Sequence, residues 1–178
     1  MEYEIRPITS SELEKHVRTL AALLIDAVDD GASVGFVPPL SEIAAVDYWQ
    51  SLTLLLESNT RMLFAAFKKD DLIGSVQLEL AKMPNSTHRA EVMKLLVLRE
   101  FRHLGIARAL MLRIHESAVA LGRSLLIADT RVGSGAEKLC EQLGYVKVGI
   151  IPKYVRNANR GLDGTMIMYR WLEELEAT

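Results

Sequence analysis

A short stretch of the chain, Arg102-His103-Leu104-Gly105-Ile106-Ala107, separates an apolar run ending near Val97 from a region of helical spacing. A glycine and a small residue at such a junction allow successive backbone N–H groups to turn outward at a helix N-terminus. With the helix dipole behind them, these N–H groups bind phosphate without many basic side chains. Alternatively, Gly105 and Ala107 only allow the helix and the strand to pack closely, and the six residues alone fit both interpretations.

An anion bound by this chain needs such local geometry, because the overall charge supplies no attraction. The 178 residues contain 21 Lys plus Arg and 23 Asp plus Glu, which gives a formal net charge of −2. The sequence has neither G-x-x-x-x-G-K-[ST] nor a G-x-G-x-x-G after a strand, which argues against an ATPase P-loop and a dinucleotide site. We therefore expect no nucleic acid and no membrane surface as a partner.

The cysteine and histidine content predicts that no metal is bound. Cys140 is the only cysteine, which excludes an internal disulfide and a multi-cysteine zinc site and fits a reducing compartment. The four histidines show no spacing typical of metal ligands. The chain starts with acidic residues, and its apolar stretches fall far short of the roughly 20 residues of a membrane span. We expect a cytoplasmic protein.

The elements that would position the turn predict one domain over residues 1–178. Alternating and apolar runs predict strands over Tyr3–Arg6, Met62–Phe67, Leu72–Leu80, Arg89–Val97, Ser124–Asp129, Tyr145–Ile150 and Thr165–Tyr169. Helical spacing and capping residues predict helices from Ser10 or Ser11 to about Val28, from Ser41 to about Glu57, over Gly105–Leu121 and over about Ser134–Leu143. Short links in the middle indicate an antiparallel meander. The order predicts a mixed α/β sheet with helices on both faces.

The pattern R-x-x-G-x-A after a strand that carries Glu91 resembles the acyl-CoA-binding motif [QR]-x-x-G-x-[GA] of the GNAT superfamily of N-acetyltransferases. The predicted order of elements is similar to that family along essentially the whole chain. Further matching positions are Leu95-Leu96-Val97, Ala136, Leu139, Leu143, Gly144 and Tyr145. Another set resembles the tabtoxin resistance acetyltransferases within the superfamily: Gly31–Phe36, Pro84-Asn85, Arg89–Val92, Asp129-Thr130, Gly133-Ser134, Tyr145, Val148, Pro152 and Tyr154.

The resemblance implies a GNAT-type fold, with a mostly antiparallel sheet whose central parallel strands splay apart to hold the pantetheine arm of acetyl-CoA. Backbone groups of Leu95, Leu96 and Val97 would bind that arm as an added strand does. An N–H near Leu96 would polarise the thioester carbonyl. The residues implied to hold the pyrophosphate are Arg102, His103, Leu104, Gly105, Ile106, Ala107 and Arg108.

Glu91 lies at a position where several members of this family carry a carboxylate base. The attacking amine must be neutral, so a base is needed. Alternation along the strand predicts that the Glu91 side chain shares a face with Met93, Leu95 and Val97, and its apolar neighbours would raise its pKa towards a useful range. The alternative is a solvent-facing charge or an ion-pair partner of Arg89.

Asp129 is the second candidate carboxylate, because it ends the apolar run Leu125–Ile127, which should form a strand parallel to the first. A carboxylate at the end of that strand, beside the splay, is well placed to orient an amine or to share the role of base. The alternative is that Asp129 caps the following turn together with Thr130.

The sequence departs from the family at two positions. Many members have a tyrosine as general acid for the departing thiolate where this chain has Cys140. A thiol can protonate a thiolate, but a lone cysteine on a helix is also a small buried hydrophobe. Many members also have an asparagine that contacts the CoA arm where this chain has Gly133, and Ser134 is the residue that would compensate.

These residues together predict an acetyl-CoA-dependent N-acetyltransferase that acts on a small amine by direct attack in a ternary complex. The likeness to tabtoxin resistance favours an amino-acid-like or toxin-like acceptor. Two alternatives stay open: acetylation of protein N-termini or lysines, and a non-catalytic acyl-CoA sensor. We expect a monomer or a homodimer. Phe36 and Tyr48 are candidates for an acceptor pocket, and Trp49 is expected to pack in the core.

Overall fold

The computed structural model describes residues 2–172 of the chain. Its five α-helices are α1 (Ser10–Asp29), α2 (Glu42–Gln50), α3 (Thr53–Glu57), α4 (Ile106–Ala120) and α5 (Gly135–Gln142). Its seven strands are β1 (Glu4–Pro7), β2 (Arg61–Lys68), β3 (Asp71–Leu80), β4 (Arg89–Val97), β5 (Leu125–Arg131), β6 (Val146–Arg156) and β7 (Leu162–Trp171). Short 3-10 turns precede β4 and α4.

The strands form one sheet in the order β1-β2-β3-β4-β5-β7-β6. The pair β4 and β5 is parallel, and every other pair is antiparallel. A parallel pair requires a crossover connection, and α4 supplies it. The predicted mixed sheet with an antiparallel meander is therefore confirmed.

Helices cover both faces of the sheet, and each face has its own core. On one face α4 and α5 bury residues such as Leu110, Ile114 and Leu143 against β3, β4 and β5. On the other face α1, α2 and α3 bury Leu20, Leu24 and Trp49 against β2. Trp49 is fully buried, as expected. The sheet is thus the middle layer of three, and a residue's face decides which helices it meets.

The region predicted as one helix over 41–57 is two helices separated at Ser51 and Leu52. Ile43 in α2 and Leu54 in α3 are 75% and 74% exposed, so neither side chain contributes to the core. The cap of α1 also differs from the prediction. Thr9, not Ser10 or Ser11, is the N-cap residue, and it forms a capping box with Glu12.

The late strands are longer than predicted. β6 continues past Ile150 to Arg156, and β7 begins at Leu162, so a tight turn at residues 157–161 joins them. Within residues 2–172 no helix combines the length and the apolar composition that crossing a membrane requires.

Candidate functional site

The central parallel strands are paired over only part of their length. Residues 89–92 of β4 pair with residues 125–128 of β5, and no pairing continues beyond Val92 and Ala128. From that point β5 stays with β7 through Arg131, while β4 stays with β3 through Val97. The two strands therefore part, and among residues 2–172 no strand lies beside the edge of β4 at residues 93–97 on the β5 side. This opening is the splay expected from the sequence.

A β-bulge lies in β4 where the splay opens. Met93 pairs with Gln77 and Leu96 with Ser75, so Lys94 and Leu95 oppose the single residue Val76. Lys94 has a φ of +49°, which is the left-handed region. An extra residue of this kind shifts the alternation of side chains beyond it.

The bulge changes which side chains share the face of Glu91. Before it, Ala90 and Val92 lie in the α4 core, so Glu91 and Met93 point to the opposite face. Beyond it, Val97 lies in the α4 core and Leu95 packs against that core, whereas Leu96 lies in the α1 core. The expectation that Glu91 shares a face with Leu95 and Val97 is therefore wrong, because strict alternation ends at Lys94.

The turn after β4 directs backbone N–H groups outward at the start of α4. Gly105 is the N-cap residue with a φ of +81°, and a β-carbon placed there would meet no atom within 4 Å. The glycine is therefore required by its backbone conformation rather than by close packing. In the described chain, no N–H group from His103 to Arg108 donates to a protein acceptor. Free N–H groups at the positive end of a 15-residue helix suit an anion.

The turn is tied to the end of α1 by two ion pairs. Arg99 Nε lies 2.7 Å from Asp26 Oδ1, and the guanidinium of Arg102 binds the Asp30 carboxylate. Arg102 Nε also donates to the carbonyl oxygen of Val97 at 3.2 Å. The Arg102 side chain, implied above as a cofactor-binding group, thus has structural partners on both sides of the turn.

Glu91 and Asp129 face the same side of the sheet on neighbouring strands. Leu126 and Ala128 lie in the α4 core, so Asp129 points to the opposite face, as Glu91 does. Burial raises the pKa of Glu91, and the negative charges of Asp129 and then Glu79 raise it further. Asp129 is exposed and pairs within β5, which continues to Arg131, so it does not cap a turn.

A polar network borders Glu91 on β2, β3 and α2. Arg61 binds Glu79 at 2.8 Å and donates to Gln77 Oε1 at 3.2 Å. Gln77 Nε2 in turn donates to the Tyr48 hydroxyl at 3.0 Å. An open cleft of about 460 Å³ reaches Glu91 from the solvent, with Glu79, Arg89 and Ile127 also on its walls. Solvent and small molecules therefore have access to the Glu91 carboxylate.

Lys94 belongs to the same face, and sequence reasoning did not single it out. Its Nζ lies 5.5 Å from the centre of the Tyr48 ring, and a β-carbon placed on Gly35 would lie 3.4 Å from that nitrogen. Phe36 packs edge-on against Tyr48, which brings the loop before α2 over this lysine. Its only sequence signal is a charged residue inside the apolar run Met93–Val97.

Cys140 is one departure from the family pattern, and Ser134 is the residue expected to compensate for the other, at Gly133. Cys140 is 3% exposed in the core between α4, α5 and the sheet, and burial raises the pKa of its thiol to about 11. Near it, His115 Nε2 and the Tyr145 hydroxyl are 3.1 Å apart. Ser134 is the N-cap of α5, and its Oγ accepts the N–H of Glu137 at 3.2 Å.

The described residues contain no group of three His, Cys, Asp or Glu side chains arranged to hold a metal ion. The candidate site consists of a turn with free N–H groups on the α4 side, an open strand edge, and a carboxylate with neighbouring charged groups on the α1 side.

Comparisons with known proteins place this geometry in a family. The model of the acetyltransferase (GNAT) family matches residues 36–145. An N-acetyltransferase from Staphylococcus aureus Mu50 has a similar structure, with a TM-score of 0.79 and 17% sequence identity, over 97% of this chain and 100% of that one.

Two other solved structures have the same fold. A Salmonella typhimurium protein whose structure contains its cofactor acetyl-CoA matches with a TM-score of 0.75 and 15% identity, over 98% of this chain and 96% of that one. The ribosomal-protein-alanine N-acetyltransferase from Brucella melitensis matches with a TM-score of 0.75 and 20% identity, over 95% and 99% of the two chains. At these identities the likeness concerns the fold alone.

Proposed function

The chain belongs to the acetyltransferase (GNAT) family, and on that premise we propose that it transfers the acetyl group of acetyl-CoA to a primary amine of a small molecule. The proposal depends above all on Glu91, a half-buried carboxylate with a raised pKa. A solvent-open cleft reaches it, and it lies just before the point where β4 and β5 part. We treat residues 1–178 as a single acetyltransferase domain.

The residues present fit acetyl-CoA, the acyl donor that the family uses. The backbone N–H groups of His103, Leu104, Gly105, Ile106, Ala107 and Arg108 suit the pyrophosphate, because they have no protein acceptor in the described chain. The open edge of β4 at Leu95, Leu96 and Val97 offers backbone groups to the pantetheine arm. Arg102 and Ser134 hold the turn and the start of α5 in place. When bound, acetyl-CoA supplies an activated acyl group.

Glu91 acts as the base in this proposal. An ammonium group has no lone pair, so the acceptor must lose a proton before or during attack. A carboxylate raised in pKa by burial accepts that proton more readily than an ordinary glutamate does near neutral pH. The neighbouring charge of Asp129 increases the basicity of Glu91 and attracts the cationic acceptor to the same place.

The two substrates approach from opposite faces of the sheet. The anion-binding turn belongs to α4, which packs on one face, while Glu91 and Asp129 point to the other. Direct attack in a ternary complex needs this arrangement, because donor and acceptor must be bound together without competing for space.

Cys140 is the family's general-acid position, but its burial supports a packing role. A thiol with a pKa of about 11 is a weak proton donor at neutral pH, and 3% exposure leaves little contact with any substrate. We propose that the departing thiolate takes its proton from water.

A small acceptor with amino-acid-like or toxin-like chemistry is our proposal, and it rests on the sequence positions that resemble the tabtoxin resistance acetyltransferases. The test measures free thiol released from acetyl-CoA by the purified protein across a panel of primary amines, amino acids and N-terminal peptides. Amine-dependent release by small acceptors supports the proposal. Release driven only by peptides would assign a protein acceptor, and acetyl-CoA binding with no amine-dependent release would assign a sensor.

The role of Glu91 is tested with Glu91→Gln. We expect kcat near neutral pH to fall by about 100-fold or more, with the Kd for acetyl-CoA unchanged, because only proton transfer is lost. Glu116→Gln on the exposed side of α4 is the matched control. An unchanged rate for Glu91→Gln would remove Glu91 from the mechanism.

A further inference from the structure

Lys94 is a half-buried cation that forms no ion pair within the described residues. In the described part of the chain no carboxylate lies within ion-pair distance of its Nζ. Burial lowers its pKa, and Arg61 lowers it further, while Asp129 and Glu91 act in the opposite direction from a distance. Removing an ammonium from water without pairing it costs free energy, and a bound anion would offset that cost.

The charge of the neighbouring cation on this face already has a protein partner. The two terminal nitrogens of Arg61 bind Glu79 at 2.8 Å and Gln77 at 3.2 Å, while its buried Nε has no partner in the described chain. Lys94 instead rests over the ring of Tyr48, and that aromatic contact leaves its three N–H donors available. Lys94 therefore lies half-buried on the face of Glu91 and Asp129 without an ion-pair partner in the described chain, whereas Arg89, on the same face, is exposed to solvent.

The backbone is distorted at the residue that supplies this cation. A left-handed φ of +49° is unfavourable for lysine. The bulge directs the side chain to the face of Glu91, under the loop that contains Gly35 and Phe36. Backbone strain of this kind persists where the surrounding structure enforces it, and it clusters at functional sites.

We propose that Lys94 binds the carboxylate of the acceptor, which makes the acceptor an amino acid or an amino-acid-like zwitterion. This inference rests on the proposed function. The face presents opposite charges at two places. Glu91, with Asp129 beside it on β5, attracts the acceptor's ammonium group. Lys94, three residues farther along β4, receives its carboxylate. A zwitterion satisfies both charges at once, whereas a simple amine leaves Lys94 unpaired.

The test compares Lys94→Gln with the wild-type protein on matched acceptors. The panel consists of the proteinogenic L-amino acids, each paired with its methyl ester. We expect Lys94→Gln to lower kcat/KM for the amino acids at least about tenfold, mainly through KM, and to change kcat/KM for the esters less than about twofold. The two acceptors differ in amine pKa, but that difference is the same for both proteins and cancels in the ratio.

Two further variants separate recognition from a structural effect. Lys94→Arg keeps the positive charge, so it should retain most of the preference for the free carboxylate. Lys15→Gln removes an exposed lysine of α1 and should leave the preference unchanged. Equal losses on amino acids and esters in Lys94→Gln would overturn the proposal, and so would a wild-type protein that accepts esters as well as amino acids.

A binding measurement distinguishes failure of this inference from failure of the proposed function. Isothermal titration of the protein with each amino acid, in the presence of CoA, reports recognition without turnover. Binding that is lost in Lys94→Gln, with no amine-dependent thiol release by wild type, would keep the Lys94 site and reject the acetyltransferase. Turnover of amines with no effect of Lys94→Gln in either measurement would keep the acetyltransferase and reject the site.

Discussion

Arg102 joins the turn before α4 to the end of α1, because its guanidinium binds the Asp30 carboxylate while its Nε donates to the carbonyl oxygen of Val97. Arg99 and Asp26 form a second link one turn earlier on α1. The helix that covers one face of the sheet thus fixes the loop that presents N–H groups on the other. The position of the anion-binding turn depends on residues that lie outside it.

Loss of this link should weaken acetyl-CoA binding. Asp30→Asn removes the charge that holds Arg102, and the pair is partly exposed, so we expect a modest rise of about threefold in the Kd for acetyl-CoA with kcat unchanged. Asp29→Asn, one residue earlier and exposed, is the matched control. The measurement is a calorimetric titration with acetyl-CoA, and an equal effect in both variants would point to general charge rather than to the link.

Glu91→Gln should stabilise the fold at neutral pH. The folded-state pKa of Glu91 is raised above its unfolded value, so the folded protein disfavours the charged form. That cost is absent below the unfolded pKa of about 4.3 and grows as the pH rises through the folded pKa. The expected result is a Tm above wild type near pH 7.5 that converges with wild type near pH 4, measured by thermal denaturation. A variant less stable than wild type at both pH values would contradict the expectation.

Asp129→Asn should shift the pH dependence of the reaction. The charge of Asp129 raises the pKa of Glu91, so its removal lowers that pKa. The acid limb of the kcat/KM profile should therefore move to lower pH, with a lower rate at the plateau because the base is weaker. If Asp129 were itself the base, the rate would fall across the whole profile without a shift of the limb.

His115 should make the fold sensitive to acid. Burial, with the charge of Arg170 as a smaller cause, lowers its pKa to about 4, and its Nε2 lies 3.1 Å from the Tyr145 hydroxyl. The unfolded chain takes up a proton below about pH 6.5, whereas the folded chain does not until about pH 4, so stability falls across that window by up to about 3 kcal/mol.

His115→Gln should flatten this fall, which urea denaturation between pH 7.5 and pH 4.5 would measure. His88→Gln is the control because that side chain is exposed. A slope unchanged by His115→Gln would show that other groups cause the acid sensitivity.

Cys140→Ala should affect stability rather than catalysis. The thiol is buried in the α4–α5 core, so its removal leaves a small cavity that lowers the free energy of unfolding by about 1 kcal/mol. We expect a lower Tm and a kcat within about twofold of wild type near neutral pH. A loss of kcat of tenfold or more at unchanged Kd for acetyl-CoA would instead assign the thiol as the general acid.

The bounds of β4 and the position of α4 could be predicted because the patterns that mark them are local. β4 begins and ends where alternation placed it, at Arg89 and Val97, and α4 buries Ile106, Leu110 and Ile114 at helical spacing. Gly105 could be predicted as a turn residue, because its motif precedes that helix. In each case one short segment contains all the information that determines its structure.

The features that could not be predicted depend on distant partners. Alternation gives no sign of the bulge at Lys94, because whether an extra residue is accommodated depends on how β3 pairs. No glycine or proline in the sequence marks the break between α2 and α3. The ion pair of Arg102 joins residues 72 positions apart. All three features depend on contacts between segments that are distant in the sequence.

Four residue pairs between β4 and β5 connect the two blocks of the sheet, β1–β4 and β5–β7. Because so few pairs join the two blocks, they can move relative to each other most easily at the β4–β5 pairing. A molecule bound in the gap by backbone groups would brace them, and the protein would gain free energy of unfolding as ligand concentration exceeds Kd. Amide hydrogen exchange in Leu125–Arg131 should then slow on addition of acetyl-CoA. The substrate would thus also stabilise the fold of its own enzyme.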